Sequence, residues 1–599
     1  MRRIAAPFWL AATLSASLLV YLPGIGGPYL ADDFPNLVNN RDLLLDPVSW
    51  EALKDAAFSS RASPYYRPLS MLSFALGYTA AGSMDPASAK LINVVLHLLV
   101  GLLVYLLSRA LLPLLRPAAS TDATSRGNGT VALLATAFWL LHPLFVSTVL
   151  YTVQRMSILS SLFVVAGCLF YVTRRARIAD GRGCAVLLAG IAVFTAAGFL
   201  CKENGALLPG FLLIIEVAAF RFRFAPELGR PWRAAIAATL VLPTAFVIAY
   251  LASAYVANAA LPAPGYYFTI HERLLTQFRV LAQYAGWLGM LSAEPMALYH
   301  DDLGLSTGLL APPSTLLFAF VWIGVAIGGA VSAYRGHLAG FGVLWFLWGH
   351  VLESTVLPLA LMFEHRNYLP GYGLILAVTG IAYWALNQTR VAPAGRVTLL
   401  TLVLVVLPLV QTLERVRAWS DERSFVLHSL QTQGDSALTL LSAAVFLDSR
   451  GDPEAAHAAL REAQRNDPRE VALLFAEFAL YCEHHAGRSP DPELASRLLA
   501  AAKAGPRTAT ARRQFVEMTK ACADVPGADA VLLEVLMFMT QDPHPDVAMI
   551  SHFGMGAIRL RRGDHAAAIA SWQRAVDGYP DGESLRGLLE DLKRRVRIE

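Results

Sequence analysis

Charge is what this chain has least of. Only 16% of its 599 residues are Asp, Glu, Lys or Arg, against 55% hydrophobic, and mean hydropathy is +0.48. Soluble globular domains carry about 25% charged residues, so composition excludes an ordinary soluble protein. The net charge of +4 is too small for the basic face that nucleic-acid binding requires. Five cysteines are too few for a disulfide scaffold. Cys168, Cys184 and Cys201 fall in or beside apolar runs and read as packing residues. Cys482 and Cys522 lie in a polar C-terminal region where a bridge is permitted, and spacing alone leaves open whether they pair. A cleavage pattern is also missing. Arg2 and Arg3 precede an apolar run as in a signal peptide, but Leu22-Pro-Gly-Ile-Gly-Gly lacks the small-x-small sequence, so the run reads as a retained anchor.

Apolar runs, in contrast, are abundant. Eleven are long enough for a hydrocarbon core of roughly 30 Å, near 6–23, 89–113, 131–149, 151–172, 184–200, 205–220, 234–257, 310–333, 340–361, 370–386 and 397–413. If they alternate, Arg174, Arg175, Arg177, Arg221, Arg223, Arg230, Arg233, Arg335, Arg390 and Arg396 share one side. The positive-inside rule makes that side cytoplasmic. The N-terminus is then cytoplasmic and everything after residue 413 lies outside, in the periplasm of a Gram-negative cell, which makes the chain a multi-pass inner-membrane protein. The long outside loops are 24–68 and 258–309. Trp50 and Leu53, Tyr66 to Gly82, and Ile270 to Leu291 each suggest helices lying in the interface, the last with Glu272, Arg273 and Arg279 on a polar face.

Residues 414–599 form a second domain, helical in period. Gly556, Gly563, Ala568, Trp572, Ala575 and Pro580 carry the offsets of a tetratricopeptide (TPR) unit. Ala444, Gly451, Ala456, Leu460, Ala463 and Pro468 repeat them. Small residues at these offsets let antiparallel helices approach, and Gly ends the first helix. Phe475, Phe478 and Leu480 suggest that helices continue between the two units. The fold class expected is all-α: a polytopic bundle in residues 1–413 with a TPR-like solenoid of three to four units after it.

The unusual polar motifs all fall on the outside face in this topology. They are Asp32-Asp33, Tyr66-Arg67-Pro68, His142-Pro143, Gln154-Arg155, Lys202-Glu203-Asn204 and Glu364-His365-Arg366-Asn367-Tyr368. Ionisable groups at membrane ends are costly and tend to mark function, although a single Arg or Lys there can simply snorkel. A carboxylate takes the proton of an attacking hydroxyl, and cations suit a phosphate gaining charge as it leaves. The combination fits sugar transfer from a polyprenyl-phosphate to a hydroxyl. Neighbours in extended chain point to opposite sides, so one of Asp32 and Asp33 acts as base while the other orients the loop or binds a cation.

With Asn93, His97 and Leu369-Pro370 added, these motifs resemble, in the same order over nearly the whole chain, the transmembrane-and-TPR O-mannosyltransferases and their bacterial relatives, within the GT-C glycosyltransferase superfamily. The resemblance implies an inverting transferase that uses a lipid-phosphate-linked sugar, with Asp32 or Asp33 as base. It implies Arg67, Arg155, Lys202, His365 and Arg366 at the donor phosphate or active site, with Tyr66, Glu203, Glu364, Asn367 and Tyr368 supporting them. No metal ligand set is assigned and no cofactor is required, a divalent cation remaining an option. A TPR groove suits an exported protein acceptor such as a pilin; a lipid or polysaccharide acceptor, a non-catalytic envelope scaffold and a transporter are the alternatives. Asn93 and His97, at i and i+4, read as a helix-packing pair rather than metal ligands, and His350 with Glu353 as a buried pair on one face of the ninth span. The sequon Asn128-Gly129-Thr130 falls on the cytoplasmic side, where glycosylation does not occur.

Overall fold

The structure, a computed structural model, describes residues 5–60, 63–115, 125–178, 180–290, 296–484, 490–505, 508–579 and 582–598. Arg2, Arg3, Leu291 and Pro580 lie outside them. The described residues form helices and turns, with two isolated bridges, Pro262 to Thr269 and Gly308 to Ala311, and no strand. The chain divides into two compact units, the first comprising Met1–Ala260, Ile270–Leu298 and Leu305–Phe425, the second Leu261–Thr269, Tyr299–Gly304 and Val426–Glu599.

The first unit is built from α1 (Ala5–Tyr21), α2 (Trp50–Ala57), α3 (Pro68–Ala81), α4 (Pro86–Leu111), α5 (Ser125–Leu140), α6 (Val146–Leu150), α7 (Arg155–Arg175) and α8 (Gly181–Cys201). It continues with α9 (Leu208–Ile215), α10 (Arg230–Asn258), α11 (Ile270–Leu288), α12 (Ser314–Tyr334), α13 (Leu338–Gly349), α14 (Gly371–Asn387), α15 (Pro393–Thr401) and α16 (Leu407–Ala418). Eight helical stretches are long and apolar enough to cross a membrane, carried by α1, α4, α7, α8, α9, α10, α12 and the pair α15 and α16. A ninth, Gly127–Leu140 with Pro143–Leu150, is bent by 47°. Pro143 cannot donate to the helix ladder, and the His142 ring accepts the Leu144 N–H at 3.2 Å in its place.

The sequence expectation of eleven spans differs at two places, because α13 and α14 are shorter apolar helices. The run 340–361 is not one helix. It stops at Gly349, where a Cβ would meet Pro370 at 2.6 Å, and His350 and Glu353 sit in the turns beyond it instead of on a helical face. The expected polar face of α11 explains how this works. Arg273 does not face solvent; it is fully buried and donates to the carbonyls of Glu353 at 2.6 Å, Leu359 at 2.8 Å and Thr355. Gln277 takes Leu361 O at 2.8 Å, and the Tyr284 hydroxyl both donates to Phe363 O and accepts from Phe363 N. Irregular backbone at membrane depth survives only where protein groups satisfy it, and α11 supplies them here. Asn93 and His97 are packing residues, as expected. The Asn93 amide reaches Val149 O and Thr152 O, while His97 lies between the Tyr368 hydroxyl, 2.8 Å away, and Leu140 O.

α17 (Glu422–Thr432) spans the boundary between the units. The second unit holds α18 (Ala437–Ser449), α19 (Pro453–Asn466), α20 (Ala472–His484), α21 (Pro492–Ala504), α22 (Ala509–Cys522), α23 (Asp529–Met539), α24 (Pro545–Arg561), α25 (His565–Asp577) and α26 (Gly582–Ile598). Two hairpins share one construction. Gly451 and Gly563 end α18 and α24 at φ of 78° and 79°, where a side chain would be strained, and Asp452 and Asp564 then cap the next helix. Gly556 is needed for approach, since a Cβ there would meet the Trp572 ring at 2.1 Å. Phe475 and Phe478 on α20 are buried against α22, to which Cys482 and Cys522 join it as a disulfide.

Candidate functional site

The loop after α1 is fixed through Asp33. Its Oδ2 accepts the Leu30 N–H at 3.0 Å and its Oδ1 accepts the Val153 N–H at 2.7 Å, so both oxygens hold backbone and the side chain is fully buried. Burial pushes the Asp33 carboxyl up to about 7, against the pull of those two amides and of Lys90, with Asp32 adding to the rise. Lys90, on α4, donates to Pro28 O at 2.9 Å and anchors the start of the same loop. Asp32 faces the other way. Its N–H donates to the Tyr151 hydroxyl at 2.7 Å, its carbonyl accepts from Asn36, and its side chain is exposed. The structure thus separates two carboxylates that sequence leaves equivalent.

The cationic side begins at Arg67. Tyr66 and Arg67 both adopt positive φ, 59° and 50°, an uncommon pair for non-glycine residues. That turn aims the guanidinium at Glu203, with Nε and Nη2 at 3.2 and 2.9 Å from its two oxygens, and Nη1 reaches Met156 Sδ. Ser63 donates to the same Glu203 carboxylate. Lys202 sits at the break after α8, in extended backbone, and binds Glu353 at 2.7 Å and Ser157 Oγ at 3.0 Å. Tyr66 itself is exposed, with its ring edge against Phe58.

The segment from Glu364 to Tyr368 forms a buried turn. Arg366 donates to Ala360 O and Leu361 O and lies over the Phe363 ring, on which His365 also stacks. Burial holds the His365 imidazole well below its usual pKa, and Lys202, Arg366 and Arg67 lower it further against an opposing pull from Glu353. His365 is therefore neutral near pH 7. The remaining members act inward: Glu364 pairs with Arg415, the Asn367 amide donates to Glu364 O, and Tyr368 meets His97 and Trp139.

The structure gathers Lys202, His365 and Arg366 around Glu353, and Arg67, paired with Glu203, acts on the same His365. It does not place Arg155 with them. That guanidinium, 1% exposed, is spent on Asn93 Oδ1, Ser73 O and Ala89 O at 2.9, 3.0 and 2.8 Å and covers the Phe74 ring, so it braces α3, α4 and α7 and presents nothing to a ligand. The segment from Tyr151 to Ser157 links the two groups, holding Asp32 and Asp33 through the Tyr151 hydroxyl and the Val153 N–H, and Arg67 and Lys202 through Met156 Sδ and Ser157 Oγ. Sequence reasoning missed Lys90, Tyr151, Arg415 and the cation-binding role of Glu353. A lysine at the edge of the run 89–113 and an arginine just beyond 397–413 were the available signals. Among the described residues, the one group of three ligating side chains with converging atoms is Asp448, Glu483 and His484 in the second unit. A divalent cation finds no such set at Asp32 among those residues.

Comparison with known proteins finds protein O-mannosyl-transferases. The chain is 25% identical over 228 residues to protein O-mannosyl-transferase TMTC4 of Mus musculus, covering 36% of this chain and 30% of that protein. It is 30% identical over 223 residues to protein O-mannosyl-transferase tmtc2 of Xenopus laevis, covering 35% and 24%. Its homologues are TMTC O-mannosyltransferases. Protein O-mannosyl-transferase Tmtc3 of Drosophila melanogaster, 28% identical over 164 residues, is a further relative. The matched region spans less than a third of the length of these relatives. No family model and no solved structure matches the chain.

Proposed function

We propose that this chain is a membrane glycosyltransferase of the GT-C type that moves a sugar from a polyprenyl-phosphate donor to a Ser or Thr hydroxyl of an exported protein such as a pilin. The observation that carries this reading is the split of Asp32 and Asp33, an exposed carboxylate held on a turn that a buried one locks. Asp32 takes the acceptor hydroxyl proton, the oxygen attacks the anomeric carbon, and the carbon–phosphate oxygen bond breaks with inversion. Its electron pair leaves with the phosphate, towards Arg67 and Lys202. Neutral His365 and Arg366 shape the donor side, and the second unit presents the acceptor as a TPR-like array. The Cys482–Cys522 disulfide supports placing that unit in an oxidising compartment, the periplasm, with the N-terminus in the cytoplasm.

The test is release of polyprenyl phosphate by the purified full chain supplied with a polyprenyl-phosphate sugar and a Ser/Thr-rich acceptor peptide. Asp32→Asn lowers turnover by roughly 10²-fold or more, the low end of general-base contributions, with the protein still folded. Asp33→Asn supplies one acceptor oxygen where two N–H groups need one each, so it loosens the loop and lowers stability as well as turnover. Normal turnover in Asp32→Asn would remove the assignment of Asp32 as base, and no turnover in the wild-type chain would favour a non-catalytic scaffold. Topology is tested separately: cysteines placed after Asp46 and near Gly563 react with a membrane-impermeant thiol reagent from the periplasm, and one near Arg177 does not.

A further inference from the structure

The end of the bundle remote from Asp32 carries a second feature. α4 and α7 run parallel, since Arg155 at the start of α7 holds Asn93 and Ala89 near the start of α4. Towards their C-terminal ends they part into a groove of about 590 Å³, lined by Leu103, Leu106, Ala110, Ala166, Leu169 and Phe170, with Arg109 and Thr173 at its mouth. The Phe170 wall is fixed from behind, because its ring lies on Gly190 of α8, where a Cβ would meet it at 2.1 Å. Both helices are long and apolar enough to cross a membrane, so the open side of the groove faces lipid.

Arg109 lines the groove, and Arg174 lies against its Phe170 wall. Arg109 donates to the Tyr105 hydroxyl at 3.1 Å and lies 5.9 Å over that ring, and Arg174 lies 5.8 Å over the Phe170 ring. Both are exposed, and among the described residues neither has a carboxylate partner. The nearby buried carboxylate, Glu216, is already taken by Arg175, Tyr171 and their fully buried pair geometry. An open apolar groove between membrane helices, with one guanidinium lining it and a second on its Phe170 wall, matches a ligand with an acyl chain and a phosphodiester.

We propose that the α4–α7 groove is a binding site for an anionic phospholipid, one acyl chain in the slot and the headgroup phosphate between Arg109 and Arg174. The lipid ties the far ends of α4 and α7 together. It is independent of the transfer reaction, and none of its residues belongs to the site at Asp32.

The experiment is native mass spectrometry of the full chain in detergent, titrated with phosphatidylglycerol or with phosphatidylcholine of the same acyl chains. Phosphatidylglycerol is expected to saturate one site and phosphatidylcholine to bind much more weakly. Arg109→Gln and Arg174→Gln each weaken phosphatidylglycerol binding on the order of fivefold, the scale of one basic residue at an anionic surface. Ala166→Trp fills the slot and abolishes the saturable binding; Leu106→Gln, on the exposed rim, serves if that variant does not fold. Inorganic phosphate at millimolar concentration leaves binding unchanged. Equal binding of the two lipids, wild-type binding in the double arginine variant, or displacement by inorganic phosphate would each overturn the proposal.

Discussion

Arginine meets carboxylate at both ends of the helices α7 to α9, and the two ends are built differently. At the far end Arg175 and Glu216 are closed: both Glu216 oxygens are bound by the guanidinium at 2.7 and 3.1 Å, Tyr171 adds a third bond at 2.6 Å, and the pair is 4% and 0% exposed. Phe220 and Phe224 cover the guanidinium. At the Asp32 end Arg67 and Glu203 make the same two-pronged contact yet remain 16% and 25% exposed, and Arg67 hangs on a strained backbone turn. The first arrangement is complete without a ligand. The second has an open side, and exchanging Glu203 for a phosphate costs it little desolvation. Geometry of the pair alone therefore does not separate the two ends; residual exposure and backbone strain do.

Breaking the closed pair has the largest expected effect. Glu216→Gln strands Arg175 in the bundle and destabilises by about 3–5 kcal/mol, read as a lowered thermal unfolding midpoint in detergent, with specific turnover of the surviving protein unchanged. A drop no larger than that of a surface carboxylate variant would mean that the far end is as open as the near one.

The second unit sharpens the comparison, because it buries a carboxylate that has no cation partner among the described residues. Glu470 accepts from Ala472 N at 3.1 Å and Thr508 Oγ1 at 3.0 Å, and burial raises it to about 7, with Asp467 and Asp301 adding to the rise. The sign follows from linkage. A folded-state pKa above the unfolded value of about 4.3 penalises the ionised form, so stability is full below that pH and is lost as pH rises through 7. Glu470→Gln keeps the acceptor oxygen without the charge. It is expected to match wild type at pH 4 and to be more stable at pH 8, by up to about 3 kcal/mol. Equal midpoints at both pH values would show that the ionised side chain is solvated.

The smallest effect is at the open pair. Arg67→Lys keeps the charge and loses the fork, which raises the donor concentration for half-maximal turnover by about tenfold and leaves the unfolding midpoint within about 0.5 kcal/mol of wild type. A loss of stability comparable to Glu216→Gln would make Arg67 a structural residue.

Much of this was legible in the sequence. Apolar length fixed where most membrane helices run, because hydrocarbon thickness sets a residue count, and Gly451 and Gly563 marked the ends of helices through their freedom in φ. The polar motifs were recognisable as a group because charge is scarce in such a chain. What each member does was not. Arg155 and Arg67 look alike in sequence, and only the packing of α3 against α4 turns one inward onto three acceptors. The run 340–361 reads as a span because hydropathy counts side chains, whereas α11 satisfies the backbone of its second half and so releases it from being helical. Asp32 and Asp33 are adjacent and chemically identical. Their roles diverge only when the loop folds onto Val153 and Tyr151, residues about 120 positions away, because desolvation and hydrogen bonding belong to the surroundings of a group and not to its type.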